Sequence, residues 1–301
     1  MAGIVLYVGG GAMAGVYSAG VLDELAKLGL RDSVEAIYGI SAGALNAANF
    51  ALGDTDRSVA WYTEHAPANN IIKSKNPFLA LTGYEVVDAS RASQLILEKH
   101  ILDTQRLIAC STPVYFGVVD AATKEFEWKD ARRADVMRLL RATASLVPFT
   151  REPVPLDGKR WVDGGFGETV ALHSLRARHP GSKIMIILNT RFDEFSIKSL
   201  AGYAVVRIHD AVLAQTWEES IERGKKELLE AIDAHDVLLF RPDIDFPVSI
   251  ITTDIEVIRQ GCAFGVAAVV ANKAEIVAFI DDGDFKNDKI VSSIKKGFSF
   301  T

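Results

Sequence analysis

Cysteine is scarce in this chain: two of 301 residues, Cys110 and Cys262. Each sits in an apolar run and their spacing fits no metal site, so a disulfide-dense scaffold and a cysteine-built metal centre are excluded. The pair reads as small buried hydrophobes in a reducing compartment, with no disulfide needed. Long apolar runs are missing as well, and none approaches the roughly 18 residues that a bilayer-spanning helix requires. The first residues carry no basic n-region, and 4–8 is too short for the apolar part of a signal sequence. These absences point to a cytoplasmic protein, soluble or held only at a membrane surface. Excess positive charge is also lacking. A formal net charge of -6 and a pI near 5.6 leave no footprint for nucleic acid, and such a chain gains nothing from the general field of an anionic membrane. Any contact with lipid must run through local apolar surface. No repeat, low-complexity tract or linker divides the sequence, so one domain over 1–301 is expected.

What is present is a hydrophobic content of 49%, enough at this length for one large core. The order strand, glycine turn, helix, strand, tight turn, helix marks a βαβ start with parallel strands. Residues 4–8 predict the first strand. A helix follows over 13–28, with Val21, Leu22, Leu25 and Leu28 at helical spacing and Gly29 as its stop. A second strand over 34–40 feeds Ser41, and an alanine-rich helix occupies 42–52. The stretch 66–87 mixes Pro67, Asn69, Asn70, Asn76, Pro77 and Gly83 with Ile71, Ile72, Phe78, Leu79 and Leu81. It reads as a packed surface loop with some short helix or, more pointedly, as a lid or membrane-contact segment, with 67–87 meeting the membrane. Next come a helix over 89–100, a hairpin of 114–120 and 125–128, a helix over 134–144, a second hairpin of 154–156 and 160–162, and a buried strand over 183–189. The remainder is mainly helical: 201–234 with a break near Gly224, a strand over 237–241, and a last main helix over 256–270.

Gly39-Ile40-Ser41-Ala42-Gly43 places a Gly-x-Ser-x-Gly pentapeptide at a strand-to-helix junction, where the motif makes a nucleophile elbow. The turn is so sharp that side chains on either flank would clash, and it holds the serine Oγ at the carboxyl edge of the sheet. The competing reading is that Ser41 only caps the helix. Gly9-Gly10-Gly11 closes the first strand, and a run without side chains can align backbone N–H groups on an anion such as a tetrahedral oxyanion. It reads equally as a tight turn. Gly9, Gly11 and Gly15 also fall near the Gly-x-Gly-x-x-Gly dinucleotide pattern, with one residue extra. That nucleotide- or phosphate-binding alternative expects an acid at the end of the second strand, where this chain has Ser41.

Asp163-Gly164-Gly165 ends the strand of the second hairpin. Trp161 and Val162 before it and two glycines after it predict a partly desolvated carboxylate that can approach another element closely, where Asp157 in Asp157-Gly158 is an ordinary turn residue. A serine hydroxyl needs a base within reach. The histidines at 65, 100, 173, 179, 209 and 235 lie in no glycine-rich or strand-end setting, so a carboxylate acting directly on Ser41 is the economical choice. An α/β-hydrolase is set aside because only one strand precedes the elbow.

Three separated motifs resemble the patatin-like phospholipases: Gly10-Gly11-Ala12-Met13-Ala14-Gly15 with its continuation to Leu22, Gly39-Ile40-Ser41-Ala42-Gly43-Ala44-Leu45-Asn46, and Asp163-Gly164-Gly165. The approach from Arg141-Ala142-Thr143-Ala144-Ser145 through Pro148-Phe149 is similar too, and the matches run over 4–172. The resemblance implies a three-layer α/β/α fold with a mainly parallel sheet, its catalytic motifs within 1–190 and a helical portion of the same domain over 191–301. It further implies a Ser41–Asp163 dyad, an oxyanion hole from the amides of Gly10, Gly11 and Ala12, no metal or other cofactor, and hydrolysis of acyl esters of phospholipids or other lipids. A carboxylesterase for short soluble esters is the alternative within the same chemistry. A catalytically silent lipid-binding relative is the alternative outside it. Two departures stand out. The family commonly has glycine at position 12 and Arg or Lys at position 14, so the Ala12 and Ala14 loop lacks the expected cation beside the anion site. The family often continues toward Asn-x-Pro where this chain has Thr169-Val170-Ala171, which predicts altered packing around intact chemistry.

Overall fold

Along the first strand, β1 (Ile4–Val8), every residue is buried, because the two faces of the pleat are covered by different helices. Ile4, Leu6 and Val8 join a core with the helices Val16–Lys27, Ala42–Leu52 and Ile255–Ala271. Val5 and Tyr7 join another with Leu172–Arg178 and Ala211–Asp233. The result is the expected three-layer arrangement. The computed structural model describes residues 3–191 and 200–281.

The sheet runs β5 (Val154–Leu156), β6 (Lys159–Asp163), β3 (Val114–Asp120), β2 (Val34–Gly39), β1, β7 (Lys183–Ile187), β8 (Val237–Phe240), with β4 (Phe126–Asp130) paired to β3. The β3–β2–β1–β7–β8 stretch is parallel and the two hairpin partners are antiparallel. Strand β3 has three neighbours, and their registers carry the main consequence for the site. Tyr115 and Phe116 pair with both β2 and β4, while Val118 and Val119 pair with both β4 and β6. A strand has two edges, so β2 and β6 share the edge that β4 leaves. They run in opposite senses, and their carboxyl ends meet head to head near Gly117.

The predicted elements are found with local differences. The helix over 13–28 begins as a 3-10 turn, Ala12–Gly15, and Gly29 stops it with φ 77. The 66–87 stretch is a packed loop with short turns at Ala66–Ala68 and Pro77–Thr82, tied down by an Ile72–Val87 bridge. The break near Gly224 is a correction. The chain divides at Asp210, whose side chain caps the second helix by accepting from the Leu213 amide. Gly224 lies within an uninterrupted helix, and the reason it is glycine is contact: a Cβ there would overlap the Thr169 side chain. A further helix, Lys273–Ile280, follows the one expected last. Cys110 and Cys262 are free thiols, and burial pushes the Cys262 thiol up to about 11. Among the described residues no single helix is long and apolar enough to cross a membrane.

Candidate active site

Parallel strands β2, β1 and β7 end side by side, so Ser41, the glycine loop after Val8, and Asn189 emerge on one rim of the sheet. Ser41 has φ 54 and ψ -127, a conformation rare for a residue with a side chain and typical of strained functional turns. The turn closes tightly: a Cβ on Gly43 would overlap the carbonyl oxygens of Val8 and Gly9, and one on Gly39 would sit 2.6 Å from Ala44 Cα. Ser41 is the residue before the helix Ala42–Leu52, yet its side chain makes no capping hydrogen bond, so the cap reading does not describe it.

Asp163 is 3% exposed and ends β6. Burial dominates its ionisation and pushes the carboxyl up to about 7, while the hydrogen bond from the Gly165 amide at 2.8 Å and the nearby Ser41 hydroxyl hold it lower than burial alone would. The two sequence-picked residues are thus brought together. Gly164 packs on the Gly117 backbone so closely that a Cβ would overlap the Gly117 carbonyl. Among the described residues no histidine hydrogen-bonds or ion-pairs with Ser41 or Asp163; His173 pairs with Glu227 and Glu230, and His179 with Tyr38 and Glu35.

The glycine loop lies directly against the serine. A Cβ on Gly10 would be 3.1 Å from Ser41 Cβ. Gly11 has φ 151 and Ala12 φ 46. The amides of Gly9, Met13 and Ala14 donate to Ile187, Ile250 and Gly11, whereas those of Gly10, Gly11 and Ala12 have no acceptor among the described residues. Three consecutive amides are thus uncommitted in the loop whose Gly10 lies against Ser41.

Two side chains that carry this geometry are given no role by the sequence reading. Thr143 Oγ1 accepts the Ser41 amide at 3.0 Å and donates to the Gly117 carbonyl at 2.6 Å, fastening the elbow to β3, while the Asp163 amide donates to the Ser145 carbonyl. Asn189 Nδ2 donates to the Gly9 carbonyl at 2.6 Å and its Oδ1 accepts the Ser18 amide at 2.9 Å. In a trans peptide the carbonyl and the next N–H point opposite ways, so fastening the Gly9 oxygen turns the Gly10 N–H away from Asn189. Below, Gly15 O accepts from Asn46 Nδ2 at 2.9 Å and from Ser18 Oγ at 3.0 Å. The 141–145 stretch flagged Thr143 only by position; Asn189, expected as the last residue of a strand over 183–189, lies two residues past the observed end at Ile187, and nothing local distinguishes it.

Where the segment after Asp163-Gly164-Gly165 departs from Asn-x-Pro, the long helix Ala211–Asp233 supplies the support. Buried Glu227 accepts the amides of Leu172 and His173, Arg223 donates to Gly167 O, and Thr169 Oγ1 donates to Ser220 O. Nearby Glu168 is raised to about 7 by burial, which outweighs the lowering effect of Arg223.

Residues 6–176, more than half of the chain, match the family described as Patatin-like phospholipase. The uncharacterized protein YjjU of Escherichia coli (strain K12) is 24% identical over 199 residues, 62% of this chain and 52% of that protein. The chain therefore spans about half the length of that relative. In tertiary structure it is similar to VipD from Legionella pneumophila, with a TM-score of 0.52 and 12% identity over 94% of this chain and 67% of that one; at that identity the likeness speaks for the fold alone. On the strength of the family match, the chain belongs to the patatin-like phospholipase family.

Proposed function

We propose that this protein is a lipid acyl hydrolase that cleaves carboxylic esters through Ser41 and Asp163. The observation that carries the reading is a buried carboxyl, pushed up to about 7, whose ionisation the hydroxyl of a strained serine influences. A carboxylate of that basicity is matched to proton transfer near neutral pH. Asp163 takes the Ser41 proton as Oγ bonds to the ester carbonyl carbon, and the amides of Gly10, Gly11 and Ala12 receive the oxyanion. The oxyanion collapses, the alcohol or lysolipid leaves with the proton from Asp163, and an acyl-Ser41 ester remains. Asp163 then deprotonates water for attack on that ester, the fatty acid departs, and the proton returns to Ser41 Oγ. Contact with a membrane through 67–87 brings lipid to the site.

The test is labelling with a fluorophosphonate beside fatty-acid release from phospholipids, lysolipids, glycerides and short p-nitrophenyl esters. Labelling and release by the wild type, both lost in Ser41→Ala, are expected. Undiminished labelling of Ser41→Ala overturns the assignment, and release from short esters alone narrows the protein to a carboxylesterase.

A further inference from the structure

Large apolar side chains stand out of the protein on two adjoining elements. In the 3-10 turn Pro77–Thr82, Phe78 and Leu81 are three apart and share one side; they are 49% and 39% exposed, and Tyr84 follows at 44%. The helix Leu200–His209 packs against this turn and presents Ile208 at 67% exposure. Between them lies a cavity of about 540 Å³ shared by Leu81, Gly83, Pro148 and Ile208, with Arg151 and His209 as its basic members and no acid in its lining.

The acids nearby are ion-paired: Glu85 and Asp88 share Lys73 at 3.2 and 2.7 Å, Asp210 pairs with Lys124 at 2.6 Å, and Glu152 with Arg160 at 3.2 Å. Arg151 and Lys75 are exposed and have no ion pair among the described residues. Five cations against four acids leave a local excess of one positive charge around the protruding apolar groups, on a chain whose net charge is -6. Apolar groups that enter the acyl boundary, flanked by cations that meet phosphate oxygens, are the two components of binding to an anionic lipid interface. The face is also tied to the site. Val86 and Val87 both donate to the Phe149 carbonyl, in the same 145–150 stretch whose Ser145 carbonyl accepts the Asp163 amide.

We propose that the surface formed by Phe78, Leu81, Tyr84 and Ile208 docks on an anionic lipid surface, with a headgroup phosphate in the cavity beside Arg151. This deepens the lipid-hydrolase reading and takes its biological sense from it, but the docking can be measured without turnover. The full-length Ser41→Ala protein is sedimented with vesicles of phosphatidylcholine alone and with one part in three phosphatidylglycerol. Binding is expected to be stronger to the anionic vesicles and to fall with salt. Adding Leu81→Asp with Ile208→Asp, or separately Arg151→Glu, is expected to lower the partition coefficient about tenfold or more, with thermal unfolding unchanged because all three positions are exposed. Val277→Asp, at a comparably exposed apolar residue elsewhere, is expected to bind as the parent does.

Equal binding to both vesicle types, no binding to either, or full binding by the Leu81/Ile208 and Arg151 variants overturns the proposal. Absence of vesicle binding would leave a protein partner as the occupant of this face. Vesicle binding without fatty-acid release by the wild type would keep the surface and remove the hydrolase reading. Release without vesicle binding would do the reverse.

Discussion

Gly39 and Asp163 lie opposite Phe116 and Val118 on the same edge of β3, one at the end of a strand running with β3 and the other at the end of a strand running against it. This head-to-head meeting brings the serine two residues beyond Gly39 to a carboxylate far away in sequence. The carboxylate at this meeting point is buried, at 3% exposure. The proposed nucleophile–base contact and the raised pKa of Asp163 follow from one topological feature.

Activity should track ionisation of Asp163. A general base works only when deprotonated, so kcat/KM for a soluble ester is expected to rise with pH to a midpoint at about 7 and then level off. Below the midpoint the fall is about tenfold per pH unit. A profile flat from pH about 5 to 8 would be incompatible with this base; the measurement is initial rates across buffers at constant ionic strength.

The same carboxyl destabilises the fold at neutral pH. Its ordinary value is 3.8 and its folded value about 7, so between those values the folded state holds a proton that the unfolded state has released. Stability attributable to this group is therefore full below 3.8, declines as pH rises toward 7, and stays low above that. Asp163→Asn, which cannot ionise, is expected to be inactive yet more stable than wild type above pH 7, by up to about 4 kcal/mol. The gain should shrink as the pH falls through this window. Thermal melts at several pH values give the answer, and a variant less stable than wild type at every pH would contradict it.

Asn189 should act on catalysis through the peptide it holds. Asn189→Leu keeps the volume and removes the bond to the Gly9 carbonyl, releasing the Gly10 amide from its orientation. The expected loss is about 100-fold or more in kcat, as for removal of an oxyanion donor, with KM within a few-fold. Asn189→Asp keeps the acceptor for Ser18 and replaces the donor to Gly9. Its activity relative to wild type is expected to recover as pH is lowered, because a protonated carboxyl can donate where the amide did. A fall in KM-linked affinity alone, or a constant ratio at every pH, would mean that Asn189 only fills space.

Local chemistry was legible in the chain without coordinates. A continuous apolar run, the glycine turn and the Gly39-to-Gly43 pentapeptide marked β1, β2 and the turn at Ser41, because apolar runs, φ requirements and steric clearance are properties of neighbouring residues. Asp163 was legible for the same reason, from the tryptophan and valine before it and the glycines after it. Gly224 was misread as a helix break because a glycine needed for helix–segment contact with Thr169 looks, in one dimension, like a glycine needed for a bend. The roles of Thr143 and Asn189 were not legible, since their partners, the Ser41 amide and the Gly9 carbonyl, are distant in the chain. The tertiary structure alone decided that β2 and β6 meet end to end on β3, and with it how deeply Asp163 is buried. Strand order and solvent exclusion depend on how the whole sheet assembles, and no single stretch of sequence encodes them.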